Sequence, residues 1–197
     1  TGITDEMVRG KTINSERVAE IAAPAALIIA HNANFDRKFA EKAFDVFSTK
    51  AWACSMTQIP WKQELFEGMK LEYLAMKSGF FYDAHRAETD CHAGIELLSK
   101  PLPQSGVLAL QTLLDEARKP TCRVWAENAP FDFKDILKGR GYKWNDGSDG
   151  RSKSWYCDIP EVGLEVELGY LRDEIFQREM DTPVVRISAF DRFSIRV

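Results

Sequence analysis

Short apolar segments alternate with amphipathic ones along the first half of the chain. Residues 26–30 and 52–56 are almost wholly apolar, which predicts two buried strands. Residues 35–47 carry aromatic and apolar side chains at spacings of three and four, which predicts an amphipathic helix. Further helices are predicted over residues 15–21, 71–77 and 88–98. This alternation indicates an α/β fold, although two strands are few for a sheet that must cover so many helices.

A segment punctuated by proline and glycine, residues 101–106, is the best candidate for a domain boundary. A leucine-rich helix is predicted after it. The later elements alternate as strand, helix, strand, strand, helix and a final strand or pair, over residues 121–126, 133–138, 142–145, 154–159, 164–176 and 184–197. This order is typical of a small α+β domain of the βαββαβ, ferredoxin-like kind. We therefore predict an N-terminal domain over residues 1–103, a linker helix over 104–118 and an accessory domain over 119–197.

Composition narrows the class of protein. The chain has 197 residues, of which 45% are hydrophobic and 28% charged, and a formal net charge of -4, as in ordinary globular proteins. This acidic balance argues against a protein that coats nucleic acid by bulk electrostatics, but not against an enzyme that acts on it. The longest apolar stretch has ten residues and contains Pro24, so we expect no membrane span. With no export signal and no paired cysteine spacing, we expect a cytoplasmic protein without disulfides or zinc.

Two segments carry the candidate chemistry. In residues 30–39, a predicted strand runs directly into a helix with Asp36 in its opening turn. In residues 85–90, His85 precedes a helix whose first turn contains Asp90. Each acid alone has a simpler interpretation, because the helix dipole stabilises a carboxylate at this position without any function. Together, the two junctions and the histidine indicate a functional site.

These segments resemble two motifs of the DEDDh (DnaQ-like) family of 3′-5′ exonucleases, which includes the proofreading epsilon subunit of bacterial DNA polymerase III. The second family motif is similar to Asn32–Asp36, with Phe35 before the acid, and the third is similar to His85, Ala87 and Asp90. The resemblance covers about residues 1 to 100. It implies a ribonuclease H-like exonuclease fold.

One part of the family pattern, an Asp-x-Glu on the first strand, does not occur on an apolar strand of this chain. We expect that the first strands have been cut off, which would also explain the shortage of strands. The alternative is a decayed nuclease fold that binds nucleic acid or a polymerase without cleaving. With two acids remaining, we expect the chain to bind metal weakly and to be inactive as it stands.

The resemblance also implies residue roles. Asp36 and Asp90 would bind a pair of Mg²⁺ or Mn²⁺ ions, which prefer carboxylate oxygens. His85 would be the general base, since an imidazole titrates near working pH. We further expect Asn32, Phe35 and Arg86 to contact the substrate, the 3′ end of single-stranded DNA, with a DNA polymerase subunit as a possible protein partner. DNA and RNA are not distinguished by these motifs. His31 and His92 are interpreted as structural.

Basic and aromatic residues are interleaved in the second half of the chain. Lys143, Trp144, Arg151 and Trp155 could form a platform on which single-stranded nucleic acid stacks. The alternative is that the aromatic residues are the core of a small sheet. We favour the core interpretation.

Overall fold

The computed structural model describes residues 2–148 and 150–197. Thr1, the first residue of the predicted N-terminal domain, and Asp149, in the predicted accessory domain, lie outside the described residues. The chain forms two compact units. The first unit contains residues up to Arg118 together with Ala189–Val197, and the second contains Lys119–Ser188. No helix within the described ranges is long and apolar enough to cross a membrane.

The first unit is built around two parallel strands, β1 (Leu27–Ala30) and β2 (Ala51–Cys54). Its helices are α1 (Asp5–Val8), α2 (Ser15–Ala22), α3 (Ala33–Ala43), α4 (Leu71–Lys77), α5 (Ala87–Leu98) and α6 (Ala109–Arg118), with a 3₁₀ turn over Asp45–Thr49. Every residue of β2 is buried, as expected for a wholly apolar strand. The two strands and four of the helices were predicted at nearly these positions, and the mixed α/β class is confirmed.

Helix α6 is not a free linker between domains. Its residues Ala109, Leu113 and Ala117 are buried in the core of the first unit. The segment before it is fixed by Glu64, a buried carboxylate that accepts hydrogen bonds from the backbone N–H groups of Gln104 (2.8 Å) and Ser105 (3.1 Å). Burial by itself raises the pKa of a carboxyl group, but these donors outweigh it, so the pKa of Glu64 is lowered. The segment rich in proline and glycine is therefore a loop that Glu64 fixes by hydrogen bonds.

Helix α3 packs in a different orientation from the predicted one. Phe35 and Phe39, expected on its packed face, are 58% and 62% exposed and lie against each other with ring centroids 4.7 Å apart. Arg37 is fully buried instead. The helix also ends at Ala43, so the predicted helix over residues 35–47 is too long.

Arg37 can be buried because all sides of its guanidinium have partners. Its Nε donates to Glu41 at 2.8 Å, and its terminal nitrogens donate to the carbonyl oxygens of Phe190 and Arg192, both at 2.7 Å. The guanidinium also lies over the ring of Trp52, 5.6 Å from its centroid. Burial lowers the pKa of Arg37, and the Glu41 carboxylate opposes that shift. A buried charge is tolerated only with such complete pairing.

Two of these partners, Phe190 and Arg192, belong to the C-terminal clasp, the name used here for residues Ala189–Val197. Within the first unit, the backbone N–H of Trp52 donates to the carbonyl of Ala189 at 2.8 Å. The hydroxyl of Ser194 donates to Glu41 at 2.8 Å, and Arg196 lies 3.2 Å from the same carboxylate. The last strand of the chain ends at Ile187. The sequence predicted strands over residues 184–197 and an accessory domain over residues 119–197. In the structure, residues 189–197 form no strand and belong to the first unit.

The second unit is a four-stranded antiparallel sheet with helices packed against it. Its strands are β3 (Thr121–Ala126), β4 (Lys143–Asn145), β5 (Ser154–Pro160) and β6 (Val184–Ile187), in the spatial order β4-β5-β3-β6. Its helices are α7 (Lys134–Gly139) and α8 (Leu164–Tyr170), with 3₁₀ turns over Phe131–Phe133 and Glu161–Gly163 and a π-helical turn over Leu171–Phe176. Val124, Leu137 and Leu171 are fully buried between sheet and helices. Along the chain, the elements of the second unit follow one another as strand, helix, strand, strand, helix and strand.

Replacing Arg37 by Met should destabilise the protein strongly. Removing one member of a buried ion pair costs about 3 to 5 kcal/mol, and Arg196 still faces Glu41, so we expect about 3 kcal/mol. Urea unfolding measures this loss. The matched control is Arg17→Met, because Arg17 pairs with Glu20 at 2.9 Å on an exposed surface, where a pair contributes less than about 1 kcal/mol. Equal losses of unfolding free energy in the two variants would show that the buried Arg37 pair contributes no more than an exposed pair.

Candidate active site

Asp36 lies at the carboxyl end of the parallel strand pair. Strand β1 ends at Ala30, and helix α3 begins two residues after His31. The backbone N–H of Asp36 donates to the carbonyl of Asn32 at 3.0 Å, which places the acid in the first turn, as predicted. Burial raises the pKa of Asp36, and the nearby His31 partly opposes the shift. Asn32 and Phe35 are exposed beside it.

His31 connects the ends of both strands to the segment before α4. Its Nε2 lies 2.7 Å from the carbonyl oxygen of Met69, and its Nδ1 lies 2.9 Å from the hydroxyl of Ser55, directly after β2. A carbonyl can only accept, so Nε2 carries the proton and Nδ1 accepts from the serine. Burial lowers the pKa of His31. The ring is thus a packed, neutral crosslink, in agreement with its structural interpretation.

His85 and Asp90 lie on either side of the start of helix α5. His85 adopts a left-handed backbone conformation (φ 69°), and its side chain is 77% exposed, with Nε2 3.6 Å from Glu72. The hydroxyl of Thr89 donates to the carbonyl of Asp83 at 2.7 Å and so closes the loop that carries His85. Arg86, the residue before the helix, is exposed. The loop therefore presents an imidazole to solvent from a constrained backbone.

Asp90 is half-buried beside Tyr82. Burial, followed by the charge of Asp90 and its hydrogen bond with the hydroxyl, raises the pKa of Tyr82 to about 12. Glu72 adds to this shift, so Tyr82 and Glu72 connect Asp90 with the surroundings of His85. Sequence reasoning missed both residues, because neither belongs to a motif. Glu72 had no signal beyond its place in the first turn of a predicted helix.

The structure brings the predicted residues together in two groups. Asp36 is close to His31. His85 lies beside Glu72, and Asp90 lies beside Tyr82, which Glu72 also influences. Across residues 2–148 and 150–197, no hydrogen bond or ion pair joins Asp36 to His85 or Asp90, and no cluster of three or more His, Cys, Asp or Glu residues could hold a metal ion. Carboxylates such as these two are the kind of ligand that Mg²⁺ and Mn²⁺ prefer.

In the second unit, some of the aromatic and basic residues at and near the predicted platform are buried in the core and others are exposed. Tyr142 is buried, and its hydroxyl donates to Glu167 at 2.8 Å. Trp155 packs against the same core and lies 5.4 Å, centroid to centroid, from Trp144, its neighbour across the sheet. Trp144 is 52% exposed, and Lys143 beside it is exposed. Arg151 lies over the ring of a buried tryptophan, Trp125.

Residues 1–98 match the family model described as Exonuclease. The matched segment contains Asp36, His85 and Asp90, and the match supports a DnaQ-like exonuclease family and a nuclease function in general. No curated protein and no solved structure matches the chain.

We expect His31 to make the stability of the protein depend on pH. The ordinary pKa of histidine is about 6.5, and the folded value is lower. Between the two values the unfolded chain binds more protons, so this contribution is complete above about pH 6.5 and is lost as the pH falls through the folded pKa. Urea unfolding at a series of pH values, compared with His31→Gln, isolates the contribution. Identical pH profiles for the two proteins would contradict it.

Proposed function

We propose that this exonuclease-like chain belongs to the DEDDh type and acts in the cytoplasm on the 3′ ends of DNA, where it releases nucleoside 5′-monophosphates during proofreading or repair. The observation that carries the proposal is the placement of His85 and Asp90 around one helix start, inside a segment that matches the exonuclease family. Asp36 occupies the corresponding first-turn position after β1. A DNA polymerase subunit is the protein partner that proofreading would require.

The proposed general base is His85. Phosphodiester hydrolysis requires a group that removes a proton from the attacking water, and a solvent-accessible imidazole on a loop suits this task. Arg86, exposed next to it, would contact phosphate, and the exposed ring of Phe35 would stack on a base, with Asn32 beside it. Asp36 and Asp90 are the proposed ligands of Mg²⁺ or Mn²⁺, the divalent metals that exonucleases of this family generally use.

We propose that the 197 residues alone are inactive. Two carboxylates carry too little negative charge for two divalent ions, and the described residues contain no further cluster of ligands. The finer fold is also part of the proposal. A ribonuclease H-like first unit agrees with the parallel pair β1 and β2, and a ferredoxin-like second unit agrees with its antiparallel strand order.

The proposal is tested with a protein expressed from the gene together with any coding sequence upstream of Thr1. Digestion of a 5′-labelled, 3′-tailed oligonucleotide with Mg²⁺ should shorten it one nucleotide at a time. His85→Ala should lower kcat by about 10² to 10⁴, the usual contribution of a general base, and Asp90→Asn should abolish activity. The control is His92→Ala, an exposed histidine on the same helix, which should retain activity within about twofold. Full activity of His85→Ala and Asp90→Asn would refute the assignment.

A second candidate is a non-catalytic module that binds single-stranded nucleic acid or a polymerase. It is favoured by the missing ligand cluster within the described residues and by the exposed pair Lys143 and Trp144. Replacing both by Ala should weaken oligonucleotide binding by about 5-fold to 150-fold, since one stacked base contributes about 1 to 3 kcal/mol. Fluorescence anisotropy measures this change, with Val166→Ala as an exposed control in the same unit. Unchanged affinity would remove Trp144 from consideration as a platform.

A further inference from the structure

Helix α3 carries Asp36 on one side and is held by Arg37 on another. These residues are neighbours in sequence, so a shift of the helix backbone at Arg37 also moves Asp36. The guanidinium of Arg37 is bound by Glu41 in its own helix and by the carbonyl groups of the C-terminal clasp. Within the first unit, the position of α3 therefore depends on residues that are about 150 positions away in sequence.

The clasp binds both members of the ion pair. Three of its carbonyl groups accept from Arg37, and the hydroxyl of Ser194, itself buried, donates to Glu41. Burial would raise the pKa of Glu41, but the hydrogen bond from Ser194 and the charge of Arg37 outweigh it, and the pKa is lowered. The carboxylate is therefore kept ionised by the same contacts that fix the helix.

The clasp also connects α3 to the sheet. Ala189 accepts a hydrogen bond from the backbone of Trp52 in β2, and the Trp52 ring lies under the Arg37 guanidinium. Strand β2 is thus tied to the clasp through its backbone and to α3 through its side chain. Removing the clasp would take away the partners of three groups, two guanidinium nitrogens and one backbone N–H, which would then have to bind water.

We propose that the C-terminal clasp is a positioning element for Asp36, which it holds in place through the Arg37–Glu41 pair of helix α3. The inference rests on the proposed role of Asp36, but its geometry does not depend on that role. The clasp acts on Asp36 through Arg37 and Glu41, so its residues are positioning residues and not catalytic ones. Its effect should be seen at α3 in the folded chain without any substrate.

The test compares the intact chain with Ser194→Ala and with a chain that ends at Ser188. The control is Ile195→Ala, an exposed side chain within the clasp. Amide hydrogen exchange should become at least ten times faster in α3 for both test variants, with little change in α4 and α5. The backbone amide resonance of Asp36 should shift in the NMR spectrum of the folded protein, because loosening of α3 changes the surroundings of that amide group. Folded and unfolded molecules give separate NMR signals, so partial unfolding by itself would leave this resonance of the folded form unchanged.

Addition of the separate peptide covering residues 189–197 to the shortened chain should restore slow amide exchange in α3 and the Asp36 resonance of the intact chain. If the shortened chain does not fold, Ser194→Ala and the restoration of folding by the peptide decide the question. An unchanged Asp36 amide resonance and unchanged exchange of α3 in Ser194→Ala, or equal effects in Ile195→Ala, would overturn the inference. These measurements require neither metal nor substrate. They therefore test the clasp independently of the digestion assay, in which a negative result would refute only the proposed exonuclease activity.

Discussion

The first unit depends on one buried cation. Arg37 is 0% exposed, and without partners its guanidinium would be far too costly to keep out of water. Glu41 neutralises the charge, and three carbonyl groups of the C-terminal clasp accept the other hydrogen bonds. The orientation of α3 follows from this arrangement. Since the Arg37 side of the helix faces inward, Phe35 and Phe39 are exposed, although hydrophobicity alone would place them inside.

Local patterns predicted most elements of the fold well. Helix α4 and strand β3 occur over the predicted residues, and helix α2 begins after Asn14, whose side chain accepts from the backbone of Arg17. Such elements are determined by short-range signals, namely apolar periodicity and capping. The orientation of α3 could not be predicted in this way. The spacing of Arg37 and Glu41 is visible in the sequence, but their burial depends on Phe190 and Arg192, which no local pattern connects to them.

The candidate site shows the same division. Sequence placed Asp36 and Asp90 in the first turns of two helices, because a strand or loop followed by a helix is a local pattern. It did not reveal that His31 ties two strands together, or that Tyr82 and Glu72 surround Asp90 and His85. These contacts join segments separated by loops whose paths the sequence does not determine. Spatial grouping of the motif residues therefore required the structure.

The order in which the units appear along the chain has a consequence for biosynthesis. A ribosome makes residues 1–118 before the second unit, and only after both does it make the clasp residues that accept hydrogen bonds from Arg37. During translation, an emerging first unit must therefore keep that cation hydrated and helix α3 incompletely docked. Its final packing is delayed until the second unit has been synthesised, in contrast to chains whose N-terminal domains finish folding first. A nascent chain interrupted before Ala189 would carry the nuclease-like motifs on an unfinished scaffold.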